Sequence, residues 1–176
     1  MNQDVKRSVN ELARAYSVIV YEFEALERVY TLYQYALELH NRNLLRGDAL
    51  LLQYCFNEII VLFCVHARNL ANLFSNNKRK REDDIKITDF GLKYDIFNTF
   101  DSRNLDAIIE RVSKEVSHLT YWHLKETNER EWDISFIFKT LKGYFNCFYK
   151  QMELNNKSIV EKSIEIDKSF IEKGKY

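Results

Sequence analysis

Residues 4–40 read DVKRSVNELARAYSVIVYEFEALERVYTLYQYALELH, and the pattern in this stretch decides the fold class. Val5, Val9, Leu12, Tyr16, Ile19, Phe23, Leu26, Tyr30, Tyr33 and Leu37 follow one another in steps of four and three without a slip. A strand would alternate every second residue; a repeat averaging 3.5 belongs to a helix that packs along its length against other helices. Uninterrupted, such a helix runs about 55 Å at the standard rise per residue. Val18, Val20, Ala25, Val29 and Leu32 widen the apolar stripe beyond a two-stranded seam, so the expected partner is a bundle core. The length leaves room for one end to reach a second protomer.

Composition agrees with helices. The chain has 176 residues, enough for one domain with a core. It contains no proline and only four glycines, Gly47, Gly91, Gly143 and Gly174, too few turn residues for a sheet protein. Formal net charge is zero, so no overall field draws nucleic acid or acidic membranes, and any such binding has to come from a local patch. Cys55, Cys64 and Cys147 are odd in number and unpaired in spacing, the expectation being reduced thiols in a cytoplasm. The amino terminus, MNQDVKRSVNELAR, resembles neither a signal nor a transit peptide. The most apolar run, residues 49–65, is interrupted by Gln53, Asn57 and Glu58, too short and too polar to span a bilayer.

Further along, residues 41–47 form a short connection and Asp48 is a plausible N-cap. The helix from Ala49 to about Ser75 is apolar nearly all round, which places it centrally. On it Glu58, Asn69 and Asn72 share one narrow face with Leu62 and Val65. They belong to a buried hydrogen-bond network, to a helix end emerging into water, or to a cleft. His66 and Arg68 flank that face, and a lone histidine there reads as structural. Residues 76–100 form the longest irregular region. In it the basic run Lys78, Arg79, Lys80 and Arg81 is followed by Glu82, Asp83 and Asp84: a self-compensating solvated loop, or a phosphate-binding patch. Asp89, Phe90 and Gly91 resemble a kinase magnesium-binding word, but the other kinase motifs are absent, and the three read as a turn. A helix from Ser102 to Thr127 and another from Trp132 to Met152 follow. The second carries Ile134, Phe138, Leu141, Phe145, Phe148 and Met152 in fours and threes, and Gly143 within it marks a close helix approach. The tail, 155–176, has a thin stripe at Ile159, Ile164 and Phe170, a docked helix or a frayed end. The fold expected is all-α: a single domain, residues 1–176, built as an up-down bundle of four long helices with a C-terminal helix or tail.

On the helix from Ser102 to Thr127, Leu105, Ile108, Ile109, Val112, Val116 and Leu119 make the core stripe, while Arg111, Glu115, His118 and Trp122 make a second stripe bordering it. A guanidinium and an imidazole on one face suit phosphodiester chemistry. Histidine moves a proton near neutral pH and arginine stabilises charge on phosphate oxygens; in RNA the 2′-hydroxyl supplies a nucleophile without a metal. The plainer reading is an ion pair of Glu115 with Arg111, one turn apart, and a histidine at the core edge.

The segment RVSKEVSH, Arg111 to His118, resembles the Arg-x4–6-His motif of HEPN domains, small helical bundles that include metal-independent ribonucleases of toxin–antitoxin and phage-defence systems. The resemblance implies a homodimer with two motifs facing one cleft, RNA as substrate, a cognate antitoxin as partner and no cofactor. It assigns Arg111 to phosphate binding and His118 to proton transfer; Glu58, Asn69, Asn72, Lys114, Glu115 and Tyr121 are the candidate supporting groups around them. The chain also resembles a family of bacterial helical proteins that share the HARNL segment running from His66 to Phe74, the acidic pair Asp83–Asp84, and KEVSHLTY from Lys114 to Tyr121; that likeness implies no activity. Glu115 and His118 also form one Glu-x-x-His step, but di-iron bundles need two, and no metal is expected. The alternative to a ribonuclease or RNA-binding protein is a helical dimerisation or protein-interaction module.

Overall fold

The computed structural model describes residues 7–42, 49–76, 84–117 and 133–172, with the backbone alone at 49–53, 102, 114–117 and 170–172. The described chain is helical, without strands. It comprises α1 (Val9–Asn41), α2 (Ala49–Phe74), two short 3-10 turns (Ile87–Phe90 and Tyr94–Phe97), α3 (Ser102–Ser117), α4 (Ile134–Asn155) and α5 (Lys157–Glu172). The connection at 43–48 with its cap Asp48, the basic run with Glu82 and Asp83, and residues 118–132 lie outside the described residues.

Helix α1 starts at a capping box: the Ser8 hydroxyl accepts from Glu11 N–H, and Glu11 accepts from Ser8 N–H at 2.8 Å. These bonds satisfy donors that the first turn leaves open, and they hold the Glu11 carboxyl below its ordinary range. The middle of the expected seam is core, with Tyr16, Ile19, Phe23 and Leu26 buried. Val9, at the seam's start, is exposed; of the flanking positions Ala25 is buried, whereas Val18 and Leu32 are exposed.

Register follows from side-chain pairs. Phe23 stacks on Phe145 at 3.9 Å and Tyr30 on Phe138 at 4.0 Å between ring centroids. Seven residues forward on α1 is seven residues back on α4, so these helices run antiparallel. The Lys142 to Glu27 bridge at 2.9 Å keeps the same register. Likewise His66 pairs with Glu22 and Phe56 meets Tyr33 edge-on, so α2 also runs antiparallel to α1. Helix α3 packs mainly on α2, and α5 mainly on α1.

Every residue of the α4 stripe from Ile134 to Met152 is buried. Asp133 caps this helix, its carboxylate accepting from Phe136 N–H at 2.7 Å. Gly143 does mark a close approach, but by a side chain from outside the helices: a Cβ there would lie 2.8 Å from Cε1 of Phe100.

Two expectations need correction. The described part of the irregular region, 84–100, is packed structure. Ile87, Phe90, Leu92 and Phe97 are buried, and Gly91, at φ +71°, ends the first 3-10 turn in a left-handed conformation that glycine adopts without strain. Asn156, at the junction of α4 and α5, donates from Nδ2 to Phe90 O at 3.1 Å and fastens this segment. In the tail, α5 is a docked helix, with Ile159 and Ser163 buried and Ser17 bonded to Asp167. Ile164, expected on its apolar stripe, is exposed, because the stripe follows 159, 163 and 166.

Candidate functional site

Helix α2 is not enclosed, although its composition placed it centrally. Tyr54 is 59% exposed, Val61 43% and Leu62 49%. Glu58, Asn69 and Asn72 are exposed on the same side, with Val65 half-buried. The three polar residues therefore meet water, as a surface face and not as a buried network. At about 100° per residue, Tyr54, Glu58, Val61, Val65, Arg68 and Asn72 fall within one narrow stripe. Their spacing is 4-3-4-3-4, a second period-3.5 seam, this one on the outside.

His66 is not solitary. Its Nδ1 lies 2.7 Å from Oε2 of Glu22 on α1, with both side chains less than one-fifth exposed. The ring of Tyr21 stands edge-on at 6.4 Å, and the Arg28 guanidinium covers that ring at 5.9 Å. A carboxylate on one imidazole nitrogen fixes the ring plane, and here it also ties α1 to α2. Glu22 was missed in the sequence because it stands 44 residues away beside the seam residue Phe23.

Arg111 is half-buried on α3 and its Nη2 atom is enclosed. The guanidinium is therefore held in the protein surface, not extended into solvent. Lys114 and Glu115 lie on α3 with side chains outside the described residues, as do His118 and Tyr121 altogether. The Arg111–His118 pair and the Glu115–His118 step are thus not described together. Among the described residues no group of three or more His, Cys, Asp or Glu side chains is placed to hold a metal ion. None of their helices is long and apolar enough to cross a membrane.

Among the described residues a cavity lies on the other flank of α3. It is an open groove of about 980 Å³ between the end of α2, the second 3-10 turn, the first half of α3 and Tyr144 of α4. Leu105, Asp106, Ile109 and Glu110 form its α3 wall; at 100° per residue Arg111 points nearly opposite to the middle of that wall. The floor is aromatic, with Tyr144 meeting Phe97 at 5.0 Å and Phe100 at 4.5 Å. Among the described residues Asp95, Asp106 and Glu110 are the charged lining residues, and no lysine, arginine or histidine joins them. Burial, with Asp101 and Asp106 nearby, pushes the Tyr144 phenol above its ordinary value. No single stretch of sequence announces the groove, since four separate stretches build it.

Cys147 is inert by geometry: its thiol donates to Ile96 O at 3.2 Å, and burial raises its pKa, which lowers the thiolate fraction.

Neither a family model, nor a curated protein, nor a solved structure matches the chain.

Proposed function

We propose that the chain is a helical association module that pairs with a second copy of itself through the outer seam of α2. The observation that carries this is the 4-3-4-3-4 stripe, exposed at Tyr54, Glu58, Val61 and Asn72 and half-buried at Val65 and Arg68, which is palindromic about position 63. Two antiparallel copies would bring Val61 against Val65, Glu58 against Arg68, and Tyr54 against Asn72 of the partner. Such a seam is self-complementary in shape and in charge, as a two-fold interface requires. The up-down arrangement of four long helices belongs to the same reading; it is supported by the antiparallel registers of α1 with α2 and with α4, and it leaves the outer side of α2 open to a partner.

The magnitudes describe a weak dimer. Burying the exposed halves of Tyr54, Val61 and Leu62 contributes roughly 1 kcal/mol each, about 6 kcal/mol for two copies. Two rim ion pairs add about 0.2–1 kcal/mol apiece. Association itself costs about 4–15 kcal/mol; at the low end of that cost the net is about 4 kcal/mol, a Kd of about 1 mM. Analytical ultracentrifugation around that concentration tests the reading. Glu58→Arg and Arg68→Glu each weaken association, and the double swap restores it. A chain that stays monomeric at millimolar concentration, or a double swap without rescue, refutes it.

A second reading, metal-independent RNA cleavage by Arg111 and His118 in a HEPN-like manner, is favoured by one observation: Arg111 is anchored in the surface of α3, as a phosphate-positioning guanidinium has to be. Its test is RNA cleavage in EDTA by the purified chain. Loss of cleavage in His118→Ala at unchanged melting temperature supports it; no cleavage by the unsubstituted chain refutes it.

A further inference from the structure

We propose that the groove between α3 and Tyr144 binds an aliphatic polyamine, a linear cation whose ammonium groups are separated by short methylene spacers. Three features argue for this ligand. The first is the charge of the lining. Among the described residues Asp95, Asp106 and Glu110 are its carboxylates and no basic side chain lines it, and Asp95 and Asp106 have no cationic partner among them. Ser75, Asn76 and Asn98 complete a polar rim. The lining thus offers negative charge and hydrogen-bond acceptors, and the ligand has to bring positive charge and donors.

The second is the floor. Tyr94, Phe97, Phe100 and Tyr144 present aromatic surface, which attracts ammonium groups to ring faces and accommodates methylenes between them. A hydrated metal ion would make no use of that surface. Tyr144 carries the most specific signal. It is 2% exposed, yet it lines the groove, and its hydroxyl has no hydrogen-bond partner among the described residues. That hydroxyl is not one of the fully enclosed polar atoms, so it opens onto the groove. A hydroxyl without a protein partner that faces the groove can both donate to and accept from whatever occupies it.

The third is size. A volume of about 980 Å³ is far more than one ammonium group requires and falls within the range of small-molecule sites.

The test is calorimetric titration of the full chain with spermidine, putrescine, magnesium chloride and a short oligolysine peptide, at two salt concentrations. Spermidine is expected to bind more tightly than putrescine, with affinity falling as salt rises. Asp106→Asn and Asp95→Asn each weaken it about five- to tenfold, and Tyr144→Phe weakens it about threefold. Both aspartates are exposed, so the variants keep their fold, and circular dichroism melting checks that they do. Glu161→Gln, on the exposed side of α5, leaves binding unchanged. The proposal is overturned by no spermidine binding at millimolar concentration, by equal displacement with magnesium at matched charge, by indifference to the double aspartate substitution, or by binding of oligolysine alone.

Discussion

Replacing Tyr16 with phenylalanine removes one oxygen from the tightest part of the bundle and should make the protein more stable. Tyr16 is 3% exposed, and its hydroxyl is enclosed with no hydrogen-bond partner. An unmet buried polar group costs about 1–3 kcal/mol. The void left by a single oxygen costs a few tenths of a kcal/mol, at about 24 cal/mol per Å³. The ring contact with Phe148, at 6.1 Å between centroids, survives the change. The expected net gain is about 1–2 kcal/mol, or roughly 2–8 °C in Tm for a chain of this size. Tyr30→Phe is the internal control, because the Tyr30 hydroxyl lies 3.2 Å from Oγ of Ser135; losing that bond should cost about 0.5–1.5 kcal/mol. The same chemical change should therefore have opposite signs at the two sites, read by calorimetry or urea denaturation. Equal destabilisation by both would refute the assignment of Tyr16 as unmet. The pH dependence adds a second readout. Burial first, with Tyr149 and Glu153 nearby, raises the Tyr16 phenol above its ordinary value of 10.0. The unfolded phenol then releases its proton at lower pH than the folded one. The contribution is complete below about pH 10 and is lost as pH rises beyond it. Tyr33, Tyr94, Tyr144 and Tyr149 are shifted the same way, chiefly by burial. Tyr16→Phe should flatten the alkaline loss of stability without abolishing it.

Glu22→Ala leaves the His66 imidazole largely buried without its carboxylate and should lower stability by about 1–3 kcal/mol, measured by urea denaturation; no change would make the pair incidental. Gly143→Ala gains about 1 kcal/mol of helix propensity but drives a methyl into the Phe100 ring, an overpacking cost of about 1–3 kcal/mol. The net effect should be loss in the unsubstituted chain and gain in a Phe100→Ala background, a change of sign that a double-mutant cycle detects. Asp133→Ala removes the α4 cap and should cost about 1 kcal/mol, seen as a shift in denaturation midpoint at unchanged slope.

What was legible in the sequence was periodic and local. The α1 and α4 seams carry large side chains at unbroken 3.5-residue spacing, and their centres are where Phe23 meets Phe145 and Tyr30 meets Phe138. Helix α2 misled for a physical reason: buried positions are mostly apolar, but exposed positions are not reliably polar. Tyr54, Val61 and Leu62 look like core until the neighbours are known. Residues 84–100 misled in the opposite direction. Their buried members, Ile87, Phe90, Leu92 and Phe97, sit on 3-10 turns whose three-residue turn suits neither the α-helix nor the strand template. The Glu22–His66 pair and the groove join residues distant in the chain, and no local pattern encodes them.

The placement of α3 makes the functional readings separable. Its core stripe, Leu105, Ile108 and Val112, is buried, which leaves two flanks of different character. One flank carries Asp106 and Glu110 beside aromatic rings and favours cations. The other carries Asn104 and Arg111, both half-buried, and is the side on which the RNA reading depends. Screening confines exposed charges to about 8–10 Å at physiological salt, and about 10–12 Å of helix with its side chains stands between the flanks. A polycation and a phosphate backbone would therefore approach the same helix from opposite sides with little mutual interference. Asp106→Asn should alter polyamine binding and leave any RNA cleavage intact, and His118→Ala should do the reverse. A substitution on one flank that moved both readouts would mean that α3 does not keep its two sides apart.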